Sequence, residues 1–283
     1  MPSAMTPRVS VVIPAFNALS TIDFAVFSAL RQEDVAVEII IASDDHIDYL
    51  AQLARQGVED ERLRMIRTPT MRSGAGIART AAAREATGDF IATLDADDAF
   101  APGRLAKLVA LAAKGGAAVD NTAMTSTDGS LIRTAFSVDS DDRTLTTYDL
   151  LSPRIPFAPV FHRSLLGDGW PDLPFAEDVV FNLTLLAKAT DMRILLEPGY
   201  LYAHRPGSLS HSADTPNRAH DAYEMILNRL DHDAFGLPRK MAAAARRQFS
   251  DDMRTNTVFA SKMSSGEVRD LADFLSLGNR VTP

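Results

Sequence analysis

Residues 89–105 read DFIATLDADDAFAPGRL. A short apolar run enters three acids in four positions, Asp95, Asp97 and Asp98, and Pro102 then stands where a helix is about to begin. Buried strand, polar turn and amphipathic helix in that order make a βα unit. In extended chain, positions i and i+2 point to the same side, so Asp95 and Asp97 can aim two carboxylates at one ligand. Oxygen-only ligands suit a hard cation, Mg²⁺ or Mn²⁺. The competing reading is an ordinary solvated turn in which Asp98 caps the next helix.

Upstream the same unit recurs. RVSVVIPAF (8–16) is a continuous apolar, β-branched run closed by Pro14, the pattern of a strand buried on both faces. Ser20-Thr21-Ile22-Asp23 has capping-box spacing before the periodic FAVFSALRQ. VEIIIA and LRMIR read as further strands, and GAGIARTAAAREAT as an alanine-rich helix stopped by Gly88. Together these predict an α/β fold, a mostly parallel sheet with helices on both faces. Such sheets bind ligands outside the carboxyl ends of their strands, where the acids at 44–45 and 95–98 both fall.

After about residue 115 the pattern changes. AAVDNTAMTSTDGSLIRTAF predicts an antiparallel hairpin around Asp128-Gly129. FAPVFHRSLL reads as a strand, EDVVFNLTLLAKAT as a helix opening on Glu177-Asp178, and the chain beyond about 217 as three helices. With 29 basic and 37 acidic residues the net charge is −8, which gives no support to nucleic-acid binding through a basic surface. There is no cysteine, so disulfides and thiolate metal sites are excluded, in keeping with a reducing cytoplasm. No apolar run reaches the roughly 18 residues of a membrane span, and MPSAMTPR lacks the apolar stretch of a signal peptide.

Each candidate has a plain structural alternative. Asp44 and Asp45 follow a strand and suit either a turn or a base or ribose contact; Arg79 suits a surface ion pair. Acids at 177–178 favour a helix N-terminus in any protein. YAHRPGSLSHS (202–212) gathers His204, Arg205, Ser208 and His211 in a loop able to close on a diphosphate, or simply in a surface loop. Trp170, the sole tryptophan, is either a platform for an acceptor sugar or core. PRKMAAAARRQF is either a contact for anionic lipid or the solvated face of a packed helix.

In five segments, VSVVIPAFNALSTIDFAVFSALRQ, VEIIIASDD, GAGIARTAAAREATGDFIATLDADD, PFAEDVVFN and YAHRPGSLS, the chain resembles the family 2 inverting glycosyltransferases of the GT-A fold, in family order over residues 8–212. Among them it looks like the bacterial enzymes of exopolysaccharide or surface-glycan synthesis. The resemblance implies a GT-A domain over 1–215, with a donor half at about 8–115 and an acceptor half at 116–215, and a helical C-terminal extension over 216–283. Carried over, Pro14, Ala15 and Phe16 line the nucleotide pocket, Asp44 contacts uracil or ribose, and Arg79 sits beside the nucleotide. Asp95 meets ribose or sugar, and Asp97 the metal. Asp178 is the base, with Glu177 orienting it or the acceptor, while His204 and Arg205 hold the diphosphate or complete the metal shell. Substrates would be a UDP-sugar and a glycan or lipid-linked acceptor, with peripheral contact at the inner face of the membrane. Two departures stand out: Ser43 replaces the first acid of the family's DDGS, and ARN is here ART, Ala78-Arg79-Thr80. Rival readings are a non-catalytic nucleotide- or carbohydrate-binding protein, should SDDHID signal lost nucleotide binding, and a dinucleotide-dependent oxidoreductase. Against the latter, Arg79 occupies the third glycine of the near-match Gly74-Ala-Gly76-Ile-Ala-Arg79, and that segment does not follow the first strand.

Overall fold

The computed structural model describes residues 6–126, 128–139, 141–205, 214–269 and 271–276. Three βα steps and a fourth strand come first: β1 (Arg8–Ala15), α1 (Ile22–Leu30), β2 (Ala36–Ser43), α2 (Tyr49–Arg55), β3 (Leu63–Arg67), α3 (Ala75–Arg84) and β4 (Phe90–Thr93). The short β5 (Ala99–Phe100) and α4 (Arg104–Gly115) precede the hairpin of β6 (Ala117–Thr125) and β7 (Leu131–Thr134). Next come β8 (Asp142–Thr144), α5 (Thr147–Leu151), β9 (Val160–His162), α6 (Glu177–Lys188) and β10 (Arg193–Ala203). The helices α7 (Thr215–Asp231), α8 (Arg239–Ser264) and α9 (Leu271–Ser276) follow. One sheet runs β3-β2-β1-β4-β9-β6-β10-β5, with β7 on β6 and β8 on β10. β3, β2, β1, β4, β6 and β10 share a direction, and β9 lies antiparallel between β4 and β6. The sheet is therefore mostly parallel, with antiparallel strands confined to its later half.

The core explains the first strands. Val9, Val11 and Ile13 of β1 and Ile39 and Ile41 of β2 pack in one cluster with Ile22, Ala25, Val26 and Ala29 of α1. Val12 and Ile40, which alternate with them, are also fully buried, so both faces are covered. Each of these Val and Ile side chains contributes roughly 1.5–3 kcal/mol by leaving water. The chain divides into two compact units: Met1–Asp172 with Asp178–Ala203, and Leu173–Glu177 with His204–Pro283. In the second, α8 buries Ala245, Phe249, Asn256 and Phe259, while Arg246 and Arg247 in the basic stretch are exposed. No helix among the described residues is long and apolar enough to cross a membrane.

Several local expectations need correction. α1 begins after Thr21, and no side chain caps it, so the box at Ser20–Asp23 is not formed. α3 ends at Arg84 with Glu85 in the right-handed region, and Gly88 is not its stop. Gly88 is needed because the chain passes β1 there: a Cβ would lie 2.8 Å from both the Ser10 nitrogen and its Oγ. Pro102 precedes the N-cap, Gly103, rather than opening α4. Strand β10 was not expected, because Pro198 and Gly199 interrupt it. Two register shifts accommodate them, and Gly199 is required since a Cβ would stand 2.1 Å from an oxygen of Asp120.

One half-buried tie near Gly88 yields a pH prediction. Glu38 of β2 accepts hydrogen bonds from Ser10 Oγ (2.6 Å), Thr87 N–H (2.7 Å), Thr87 Oγ1 (2.8 Å) and Arg64 (3.0 Å). Burial pushes its carboxyl up, but these donors outweigh burial and bring it down from 4.5 to about 2. A depressed folded value stabilises the fold above the unfolded pKa, and that contribution fades as pH falls from 4.5 towards 2. Glu38→Gln is expected to lower Tm at pH 7, with the gap to wild type closing below pH 4.5; thermal melts across pH 2–7 check it. A gap that stays constant with pH would contradict the assignment.

Candidate functional site

The order 3-2-1-4 places a topological switch between β1 and β4: the chain winds outward through β2 and β3, then crosses to the other side of β1. Ligands of such sheets bind outside the carboxyl ends of the strands at that point. Here those ends lead into Pro14–Phe16 and Asp95–Asp98.

The acids after β4 do not lie on extended chain. Asp98 N–H donates to the Asp95 carbonyl at 3.1 Å, closing a tight turn, so simple alternation is not what positions Asp95 and Asp97. Asp98 is 2% exposed and accepts from Tyr200 Oη at 2.7 Å and Ala203 N–H at 2.9 Å. It ties the turn to β10 and does not cap α4. Burial, then the charges of Asp97 and Asp95, push its carboxyl well up. Tyr200 Oη also accepts from Asp95 N–H at 3.1 Å. Behind it Arg104 lies against the Phe100 and Tyr200 rings, 4.5 and 5.3 Å from their centroids. Arg104 grips Asp120 with two 2.8 Å bonds, both side chains being almost wholly buried. Sequence reading missed this Asp120–Arg104–Tyr200–Asp98 chain along with β10.

Asp95 accepts from Arg79 at 2.6 Å, and Arg79 is 7% exposed. The alternative for Arg79 as a surface ion pair is thereby overturned. Arg79, Asp95, Trp170, Asp178, Asn182, Tyr200 and the 156–159 segment line one cleft. Four of the residues singled out from sequence thus meet: Arg79, Asp95, Trp170 and Asp178. Trp170 is 5% exposed, its ring stacked 3.8 Å from Phe181 and edge-on to Phe161. Packing makes it a wall of the cleft rather than an open platform. Thr80, where the family has Asn, accepts the Trp170 N–H at 2.9 Å and so holds that wall.

Asp44, at the end of β2, sits among several donors. It is 4% exposed and accepts from Thr68 Oγ1 (2.8 Å), Ser73 N–H (2.9 Å), Ser73 Oγ (2.6 Å) and Gly74 N–H (2.9 Å). Three of these donors share Oδ1 and Gly74 N–H takes Oδ2, so much of the carboxylate's acceptor capacity serves the fold. Asp44 clamps the end of β2 to the start of α3. Asp45 accepts from Asn17 N–H (2.6 Å) and Tyr49 Oη (2.8 Å). Burial works against its charge, yet these donors, with Ile47 N–H and Ser43 Oγ, hold it below its ordinary value. SDDHID is thus a knot of the fold. Pro14 is half-buried and Ala15 buried, while Phe16 is 39% exposed with the Arg72 guanidinium 5.6 Å over its ring. Asn17, His46 and Arg72 take φ of 54°, 61° and 60°. Left-handed backbone without glycine in three loops of one sheet edge is the strain that clusters at ligand sites.

Asp97, half-buried, stays on the turn outside the cleft lining. Glu177, His204 and Arg205 belong to the second unit, and Ser208 and His211 lie outside the described residues. No three His, Asp or Glu side chains among the described residues converge as a ready-made metal cage. The donor type still fits Mg²⁺ or Mn²⁺. Mg²⁺ in particular usually takes one or two carboxylates and completes its shell with substrate phosphates and water.

The family model for Glycosyl transferase family 2 matches residues 10–170. The chain belongs to that family. It is a glycosyltransferase, and the match runs from β1 to Trp170. Over 264 residues it is 33% identical to the succinoglycan biosynthesis protein ExoO of Rhizobium meliloti, covering 87% of this chain and 74% of ExoO. It is 30% identical over 106 residues to WfgD of Escherichia coli, a UDP-Glc:α-D-GlcNAc-diphosphoundecaprenol β-1,3-glucosyltransferase, covering 38% of this chain and 41% of WfgD. In fold the glycosyltransferase is similar to S. aureus TarS 1–349 in complex with UDP-GlcNAc. The TM-score is 0.63 at 20% identity, covering 90% of this chain and 74% of that one.

Proposed function

We propose that this glycosyltransferase moves a sugar, with inversion, from a UDP-sugar to a hydroxyl of a glycan or lipid-linked acceptor. The observation that carries the reading is the cleft at the switch point, which brings Asp95 and Asp178 together with Arg79 between residues far apart in sequence. A sugar hydroxyl is a weak nucleophile, so a carboxylate within reach must take its proton during attack. Asp178 fills that role, and one base on the face opposite the leaving group gives a single displacement with inversion. Asp95, fixed by Arg79 and the Tyr200 hydroxyl, faces sugar or ribose. Phe16 and its loop flank the nucleotide. Asp97 would hold Mg²⁺ or Mn²⁺, which when bound neutralises charge on the leaving diphosphate. WfgD, whose name gives a UDP-sugar and a lipid-diphosphate acceptor, supports the substrate class.

Screening nucleotide sugars for metal-dependent release of the nucleotide, with the anomeric configuration of the product followed by NMR, tests the reading. UDP-sugars are expected to turn over with inversion. Retention, or turnover of other nucleotides alone, would contradict it. Asp97→Ala is expected to abolish the Mn²⁺ enhancement of UDP affinity in calorimetry; an undiminished enhancement would move the ligand to another acid.

A further inference from the structure

Asn182 lies one turn after Asp178 on α6, and residues four apart share a helix face. Both line the cleft. Asn182 is 2% exposed, and its Nδ2 donates to the Phe157 carbonyl at 2.9 Å, steadying another cleft wall. A carbonyl only accepts, so this bond fixes which end of the amide is which. The other end, Oδ1, is buried and has no hydrogen-bond partner among the described residues. A buried amide oxygen without a donor is costly, and native proteins rarely leave one so. The neighbouring groups sharpen what would satisfy it. Asp95 and Asp178 are acceptors too, Arg79 is engaged with Asp95, and the Tyr200 hydroxyl donates to Asp98. A phosphate brings only acceptors and would be repelled here, whereas a polyhydroxy ring brings donors.

We infer that Asn182 Oδ1 accepts a hydrogen bond from a ring hydroxyl of a sugar held in the cleft, and so helps select that sugar. The inference rests on the proposed transferase reading and adds a residue to it. The hydroxyl belongs either to the donor sugar or to the acceptor, and the experiment separates the two.

Calorimetry with wild type and Asn182→Ala, using UDP, UDP-glucose, UDP-galactose and UDP-GlcNAc, is the test. The expected result is that Asn182→Ala loses about five- to tenfold in affinity for the preferred UDP-sugar, the scale of one hydrogen bond, with UDP affinity unchanged. If UDP-sugar affinity holds but the acceptor KM rises by a similar factor, the hydroxyl is the acceptor's and the inference stands. Equal weakening of UDP and UDP-sugar would reduce Asn182 to a wall support and overturn it. So would no change in either affinity or KM, since Oδ1 then meets only water. A second measurement uses modified sugars. Among singly deoxygenated UDP-glucose donors or acceptors, one should lose that same factor with wild type and nothing further with Asn182→Ala. Additive losses would overturn the inference. If wild type binds none of the four nucleotides, the transferase reading fails first and this inference with it.

Discussion

Asp178→Asn is expected to lower the transfer rate by about 10²–10⁴-fold, the contribution of a positioned general base. That corresponds to roughly 3–5 kcal/mol of barrier. The variant keeps the shape of the cleft and removes only the proton acceptor. Affinity for UDP-sugar should therefore hold within about twofold, separating a lost transition-state interaction from lost ground-state binding. Steady-state kinetics with calorimetry on one preparation checks both halves. A parallel loss of binding would make Asp178 a donor ligand, and near-wild-type turnover would move the base elsewhere.

The second large effect lies behind the site. Asp120→Ala strips Arg104 of its partner inside the protein, where both side chains are at most 1% exposed. Breaking such a pair from one side costs about 3–5 kcal/mol, a fall in Tm on the order of 10 °C for a chain of this size. Replacing both, as Asp120→Leu with Arg104→Met, removes the charges together and should recover much of that loss. The consequence reaches function because Arg104 stacks on Tyr200, and the Tyr200 hydroxyl holds Asp98 and the Asp95 amide. The double variant should thus regain stability more completely than activity. Full recovery of both would show that the turn after β4 does not depend on this support.

How much of the fold and site is legible in the sequence follows the physics of each segment. β1, β2 and β4 are continuous apolar runs buried on both faces, which sequence reports directly, as it does the Asp128-Gly129 hairpin. β10 is hidden because its Pro198 and Gly199 suit a bulge against Asp120, a long-range requirement with no local signal. Tyr200 and Asn182 escape notice for related reasons. Tyr200 sits on the missed strand, and Asn182 is one more polar residue on an amphipathic helix until the cleft is assembled. Asp44 carries a structural role that local sequence does not report. An acid at a strand end suggests a ligand contact, and here the Thr68 and Ser73 hydroxyls and two backbone amides also tie it to the fold, through partners distant in sequence. Among the acids of 95–98, Asp98 proves to be a tie to β10 rather than a helix cap, and Asp95 is half of a charged pair with Arg79.

The most direct test of the central claim is a crystal structure of Asp178→Asn with an intact UDP-sugar and Mn²⁺. The account predicts the sugar in the cleft between Asp95 and residue 178, with the diphosphate and metal at Asp97. A sugar lodged elsewhere, or a metal bound without Asp97, would contradict it.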